Sequence, residues 1–113
     1  MRSLLILATL LAAAACALPA PAHAATTCKT GKYPGSGYFT SLKVTHTSCT
    51  TGRKFEVAYY HCRLRHGVKG RCTSRVMGYK CKEVRNSIPT EIDARVTCTN
   101  GSRKIVHTYQ QNT

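Results

Sequence analysis

The chain has 113 residues, with seventeen Lys plus Arg against four Asp plus Glu, a formal net charge of +13, and seven cysteines. A chain of this size buries only about 60 to 65% of its unfolded surface, which excludes a large self-sufficient core and calls for covalent staples. The cationic excess attracts negatively charged polymers, and outside a cell these are wall polymers, anionic lipid, nucleic acid and acidic proteins.

Residues 1–24 read as a signal peptide. Met1-Arg2 supplies the positive start, Leu4 to Ala15 an apolar run too short to span a bilayer, and Ala22-His23-Ala24 the small-x-small cleavage rule. A second route is lipid anchoring at Cys16 through Ala13-Ala14-Ala15-Cys16, a box lacking the usual bulky aliphatic residue. No other long apolar run follows, so an exported chain without an integral membrane segment is expected. Either route leaves Cys28, Cys49, Cys62, Cys72, Cys81 and Cys98. An even count in a short exported chain implies three disulfides. The spacings of 21, 13, 10, 9 and 17 contain no close chelating pair, so neither a metal nor a cofactor is implied.

Residues 25–37 are rich in glycine and turn formers and read as a flexible arm held by Cys28. From Tyr38 to His46 the residues alternate, with Leu42, Val44 and His46 on one side and Ser41, Lys43 and Thr45 on the other, which predicts a strand. Thr47 or Ser48 caps a following helix. Its stripe is Cys49, Gly52, Phe55, Ala58, Tyr59 and Cys62, and Gly67 ends it in a left-handed conformation. Gly52 in the stripe implies close approach to another backbone.

Met77, Tyr79 and Cys81 alternate into a second strand ending near Arg85, before a turn at Asn86-Ser87-Ile88-Pro89. Ile92, Ala94, Val96 and Cys98 form the apolar side of a third. Asn100-Gly101 is a strong hairpin signal. With those two residues as the turn, Ile105 faces Val96, His107 faces Ala94 and Tyr109 faces Ile92.

One apolar helix stripe and one apolar sheet face satisfy each other by packing together. Residues 38–113 are therefore expected to form a single disulfide-stapled α+β domain, one helix on a four-stranded mainly antiparallel sheet in the order strand, helix, three-stranded meander, similar in outline to cystatins. Helix-to-sheet bridges are expected, with Cys49 joined to Cys98 or Cys81, and Cys28 and Cys72 taking partners from the remainder.

Several local motifs resemble a known cysteine framework. Ser48-Cys49-x-x-Gly52, Tyr59-Tyr60-x-Cys62, Gly70-x-Cys72, Gly78-Tyr79-x-Cys81 and Val96-x-Cys98-x-x-Gly101 are similar to those of small exported actinobacterial proteins of uncharacterised function. That resemblance implies compartment and fold, and it transfers no site. The final hairpin, Cys98 to Tyr109, also resembles that of small periplasmic lysozyme inhibitors.

For function, nucleophile-elbow and phosphate-loop signatures are absent from the sequence. Oxidised cysteines offer no thiolate nucleophile. Glu91 and Asp93 share one strand side and read as a solvated face balanced by Lys104 and Arg95 rather than as a paired-carboxylate site. His46 and His107, with the abundant lysines, make a ribonuclease-like acid-base pair the third reading, although an inner-face histidine is ordinarily a neutral core residue. His61 and His66 add charge below neutral pH.

The strongest functional signal is Arg63, Arg65, Lys69, Arg71, Arg75, Lys80 and Lys82, lying within twenty-six consecutive positions without an acid, between Glu56 and Glu83. Arginine's planar fork suits phosphate and carboxylate, and Tyr60 is the best-placed stacking surface. The leading expectation is a secreted, non-enzymatic cationic module that binds an anionic partner, whether wall polymer, nucleic acid or acidic protein, through this segment. The alternative is an inhibitor presenting a disulfide-braced loop to a secreted hydrolase.

Overall fold

The computed structural model describes residues 12–14 and 24–113. The expected leader and Cys16 fall outside those residues, apart from Ala12–Ala14 and Ala24. No helix among the described residues is long and apolar enough to cross a membrane.

Six elements follow in chain order: β1 (Thr26–Cys28), β2 (Gly37–Thr45), α1 (Cys49–Leu64), β3 (Lys80–Ile88), β4 (Glu91–Asn100) and β5 (Arg103–Asn112). The strands form one antiparallel sheet in the order β1-β2-β5-β4-β3. The α+β architecture is as expected, with five strands rather than four. The fifth is β1, inside the segment read as a flexible arm. Three residues carry no usable periodicity, and β1 is held by its ladder to β2 and by the Cys28–Cys49 disulfide. Tyr33 of the same segment is buried as well.

The helix starts at Ser48, whose Oγ accepts the Thr51 amide at 3.1 Å. Beyond Leu64 the chain turns through Gly67, which has φ +93° and donates its amide to the Leu64 carbonyl. The buried helix positions are Gly52, Phe55, Glu56, Tyr59, Cys62 and Arg63, so the apolar stripe includes two ionisable residues. Gly52 does mark a close approach, but to side chains: a Cβ there would lie 2.8 Å from Val44 Cγ1 and 3.2 Å from Leu42 Cδ2.

Three local expectations are corrected. Met77 is not a strand residue, because Met77 and Gly78, both with positive φ, form a tight turn inside the Val76–Tyr79 bridge that leaves Met77 exposed. The next strand runs on to Ile88, which pairs with Glu91, so the turn is Pro89-Thr90. In the last hairpin the two turn residues are Gly101 and Ser102, with Asn100 paired to Arg103. Only Gly101 takes a positive φ, as a type II′ turn requires. The register moves by two residues, placing Val96 opposite His107 and Ala94 opposite Tyr109. A two-residue shift preserves the side-chain period, so the predicted inner face survives.

The disulfides are Cys28–Cys49, Cys62–Cys72 and Cys81–Cys98. Cys49 therefore reaches the sheet, but at β1 rather than at Cys98 or Cys81, which are direct cross-strand partners.

Under the helix, Leu42, Val44, Phe55, Val96 and Ile105 make a dry centre. Beside it lies a polar network. Glu83 accepts hydrogen bonds from the Tyr59 and Tyr109 hydroxyls at 3.1 and 2.7 Å and from Arg85 Nε at 2.7 Å. Arg85 in turn donates to the Lys69 and Gly70 carbonyls, both at 2.8 Å, which ties the long connection after α1 to the sheet.

Candidate anion-binding sheet face

The helix covers one side of the sheet and leaves the other to solvent. Strand alternation sends Leu42 and Val44 inward and Ser41, Lys43 and Thr45 outward on β2; likewise Arg95, Thr97 and Thr99 point outward on β4 while Ala94, Val96 and Cys98 are covered. Pairing then arranges the outward residues in rows. The first row is Lys80, Thr99, Lys104 and Thr45; the second is Lys82, Thr97, Val106, Lys43 and Thr27; the third is Val84, Arg95, Thr108 and Ser41.

Five cations thus occupy three rows. At about 4.8 Å between strands and about 6.8 Å between same-side residues along a strand, Lys43, Lys80, Lys82, Arg95 and Lys104 stand within roughly 14 by 14 Å. All five are exposed. None makes an ion pair; among the described residues both ion pairs fall on Glu83, from Arg71 and Arg85. Two shallow depressions lie on this face and share Arg95, one reaching Lys43 and Lys104, the other Lys80 and Lys82. The balance expected between Lys104 and the acids is absent. Thr99, the partner of Lys104, is eight residues along β4 from Glu91, about 27 Å.

The seven cations singled out from the sequence separate into different surroundings. Lys80 and Lys82 join the sheet face. Arg63 does not reach the surface: it is 1% exposed, donates to the Tyr33 hydroxyl at 2.9 Å and to Gln111 Oε1 at 3.1 and 3.2 Å, and lies 4.0 Å over the Tyr109 ring. Its position four residues after Tyr59 and seven after Glu56 puts it on the buried stripe, where its charge is met by ring faces and neutral acceptors. Arg71 sits 3.5 Å from Glu83, so one of the loop cations is locally neutralised. Arg65, Lys69 and Arg75 are exposed on the connection between α1 and β3. Lys69 Nζ donates to the Pro89 carbonyl at 3.4 Å and Arg75 to the Gly78 carbonyl at 3.4 Å. Tyr60 packs edge-on against Tyr33, 5.1 Å between centroids, and is only half-buried.

Lys43, Arg95 and Lys104 were not among the sequence candidates. The signal that finds them is the polar side of each strand, read across the pairing order rather than along a contiguous segment.

His46 and His107 stand apart in different surroundings. His46 lies past the end of β2, exposed and at φ +55°, whereas strand alternation predicts it inward. His107 is fully buried among Phe39, Phe55 and Tyr59, and neither ring nitrogen has a hydrogen-bond partner. Burial, reinforced by the Arg63 charge, holds His107 down at about 3, so it is neutral throughout the physiological range. Its register partner is Leu42, four residues or about 13 Å along β2 from His46. His66 Nε2 lies 3.2 Å from Thr73 Oγ1. No group of three or more His, Cys, Asp or Glu side chains among the described residues could hold a metal ion.

Glu56 is the second sealed titratable group. Burial raises its carboxyl to about 8, against the Gly31 backbone and the Arg53 charge, which act in the opposite direction. Comparison of the chain with protein-family models, curated proteins and solved structures finds no match.

Proposed function

We propose that this chain is an exported, non-enzymatic cationic module whose outer sheet face binds an anionic polymer. The observation that carries the reading is the convergence of Lys43, Lys80, Lys82, Arg95 and Lys104, from four strands, on one solvent-exposed face without a carboxylate partner. A sheet braced by a cross-strand disulfide holds the backbone positions that carry those side chains at fixed separations, so no main chain has to order on binding. Three disulfides suit an oxidising compartment. Non-enzymatic action is supported by the separation of His46 from the sealed His107. The inhibitor reading draws less support, because the connection after α1 is lashed to the body through Arg85 and through Gln111 Nε2, which donates to the Val68 carbonyl at 2.7 Å.

The test is the salt dependence of binding to a single-stranded oligonucleotide, used as a reference polyanion. Five engaged cations give a slope of log K against log salt near −3.5, at about 0.7 per phosphate. Replacing Lys43, Arg95 and Lys104 together by Gln leaves two, and the slope falls to about −1.4. The loop triple Arg65→Gln, Arg71→Gln, Arg75→Gln keeps the wild-type slope. A loop variant that lost the slope while the sheet variant kept it would overturn the assignment.

A further inference from the structure

The groups between the cations restrict what kind of polymer fits. Thr27, Thr45, Thr97 and Thr99 point outward among the charges, and none of their hydroxyls is engaged in a hydrogen bond among the described residues. By contrast Thr108 Oγ1 is held by Thr40 Oγ1 at 2.6 Å and by Ser41 Oγ at 2.5 Å. A hydroxyl both donates and accepts, so a group of free ones is matched to a ligand that carries hydroxyls of its own.

Aromatic surface is missing from the same area. Tyr33, Phe39, Phe55, Tyr59, Tyr79 and Tyr109 are all buried. The exposed Tyr38 is paired with Gln110, one row beyond the basic patch and level with Asp93. Proteins that bind single-stranded nucleic acid stack the bases on aromatic rings, and here a base would meet threonine, valine and lysine stems, with Arg95 the one planar group among the five cations. Four of the five cations are lysines, point charges with rotatable donors that take phosphate oxygens without demanding the planar geometry arginine offers a carboxylate.

Building on the anion-binding reading, we propose that the polymer is a polyol phosphate, a chain of phosphodiesters joining hydroxyl-bearing carbons with no aromatic base. It lies across the strands with phosphates on the lysines and Arg95 and polyol hydroxyls on Thr97 and Thr99.

The full oxidised chain is titrated, at one salt concentration, with poly(glycerol phosphate), with a single-stranded DNA oligonucleotide of equal phosphate count, and with an oligonucleotide of the same length in which every nucleoside is the hydroxyl-free tetrahydrofuran abasic analogue. Poly(glycerol phosphate) is expected to bind about tenfold tighter than the oligonucleotide, the equivalent of two net hydrogen bonds. Removing the bases leaves oligonucleotide binding unchanged within about twofold, as expected where no stacking exists. The double variant Thr97→Val, Thr99→Val keeps shape and strand propensity and removes both hydroxyls. It lowers affinity for poly(glycerol phosphate) about tenfold and leaves the oligonucleotide within about twofold. An oligonucleotide that binds as tightly as poly(glycerol phosphate), a loss of affinity on removing the bases, or indifference of poly(glycerol phosphate) to the Thr→Val pair overturns the polyol assignment while leaving the basic face in place. Indifference of every polymer to Lys43→Gln, Arg95→Gln, Lys104→Gln overturns both.

Discussion

Glu56 and His107 each make stability depend on pH, and they act in opposite directions. Glu56 is raised from 4.5 to about 8 in the folded chain, so between those values the folded state holds a proton that the unfolded state has released, and stability falls as pH rises. His107 is lowered from 6.5 to about 3, so between those values the unfolded state binds the extra proton, and stability falls as pH drops. The two slopes cancel from about 4.5 to 6.5, where the curve is flat. From pH 6.5 to 8 only Glu56 contributes, costing about 2 kcal/mol at 1.36 kcal/mol per unit; from pH 4.5 to 3 only His107 does, costing a similar amount. Urea midpoints of the oxidised protein measured at half-unit steps from pH 3 to 9 give the curve. Glu56→Gln is expected to flatten the alkaline limb and let the acid limb begin already near pH 6.5, and His107→Phe, which keeps the ring packing against Phe55 and Tyr59, to flatten the acid limb and let the alkaline one begin near pH 4.5. An alkaline limb of unchanged steepness in Glu56→Gln would refute the assignment of that carboxyl as the sealed group.

Three other outcomes follow from the packing. Glu83→Gln leaves the nearly buried Arg85 without its counter-ion, and equilibrium unfolding should show a loss of about 3 to 5 kcal/mol. Gly52→Ala trades a helix-propensity gain of about 1 kcal/mol against overpacking on Val44 and Leu42 of about 1 to 3, for a net loss near 1 kcal/mol by denaturant titration. Arg63→Met removes a cation that never meets solvent, so the salt slope of polymer binding should stay within about 0.3 of wild type; a drop near 0.7, one phosphate contact, would place Arg63 at the binding surface after all.

Much of this molecule is local chemistry that can be read along the chain. Alternation found the inner residues of β2 and β4, Ser48 capped the helix where its hydroxyl suggested, and six cysteines in a short basic chain announced three bridges. Each of these depends on residues a few positions apart. Even the hairpin error was harmless to the core, because a shift of two keeps every side chain on its own side.

What the tertiary structure decided is which distant residues became neighbours. The order β1-β2-β5-β4-β3 sets the N-terminal Lys43 beside Val106 and near Lys104, which no contiguous window of sequence reveals. Burial decided the fate of Arg63, since a charged residue at a helical stripe position can point outward or be absorbed, and the rings and Gln111 waiting at the sheet settled it. Cysteine pairing depended on the same long-range placement: β1 is too short to show itself by periodicity, yet it brings Cys28 under Cys49 and leaves Cys81 and Cys98 to each other. Periodicity determines which side of an element a residue takes; only the closing of the chain determines what stands opposite.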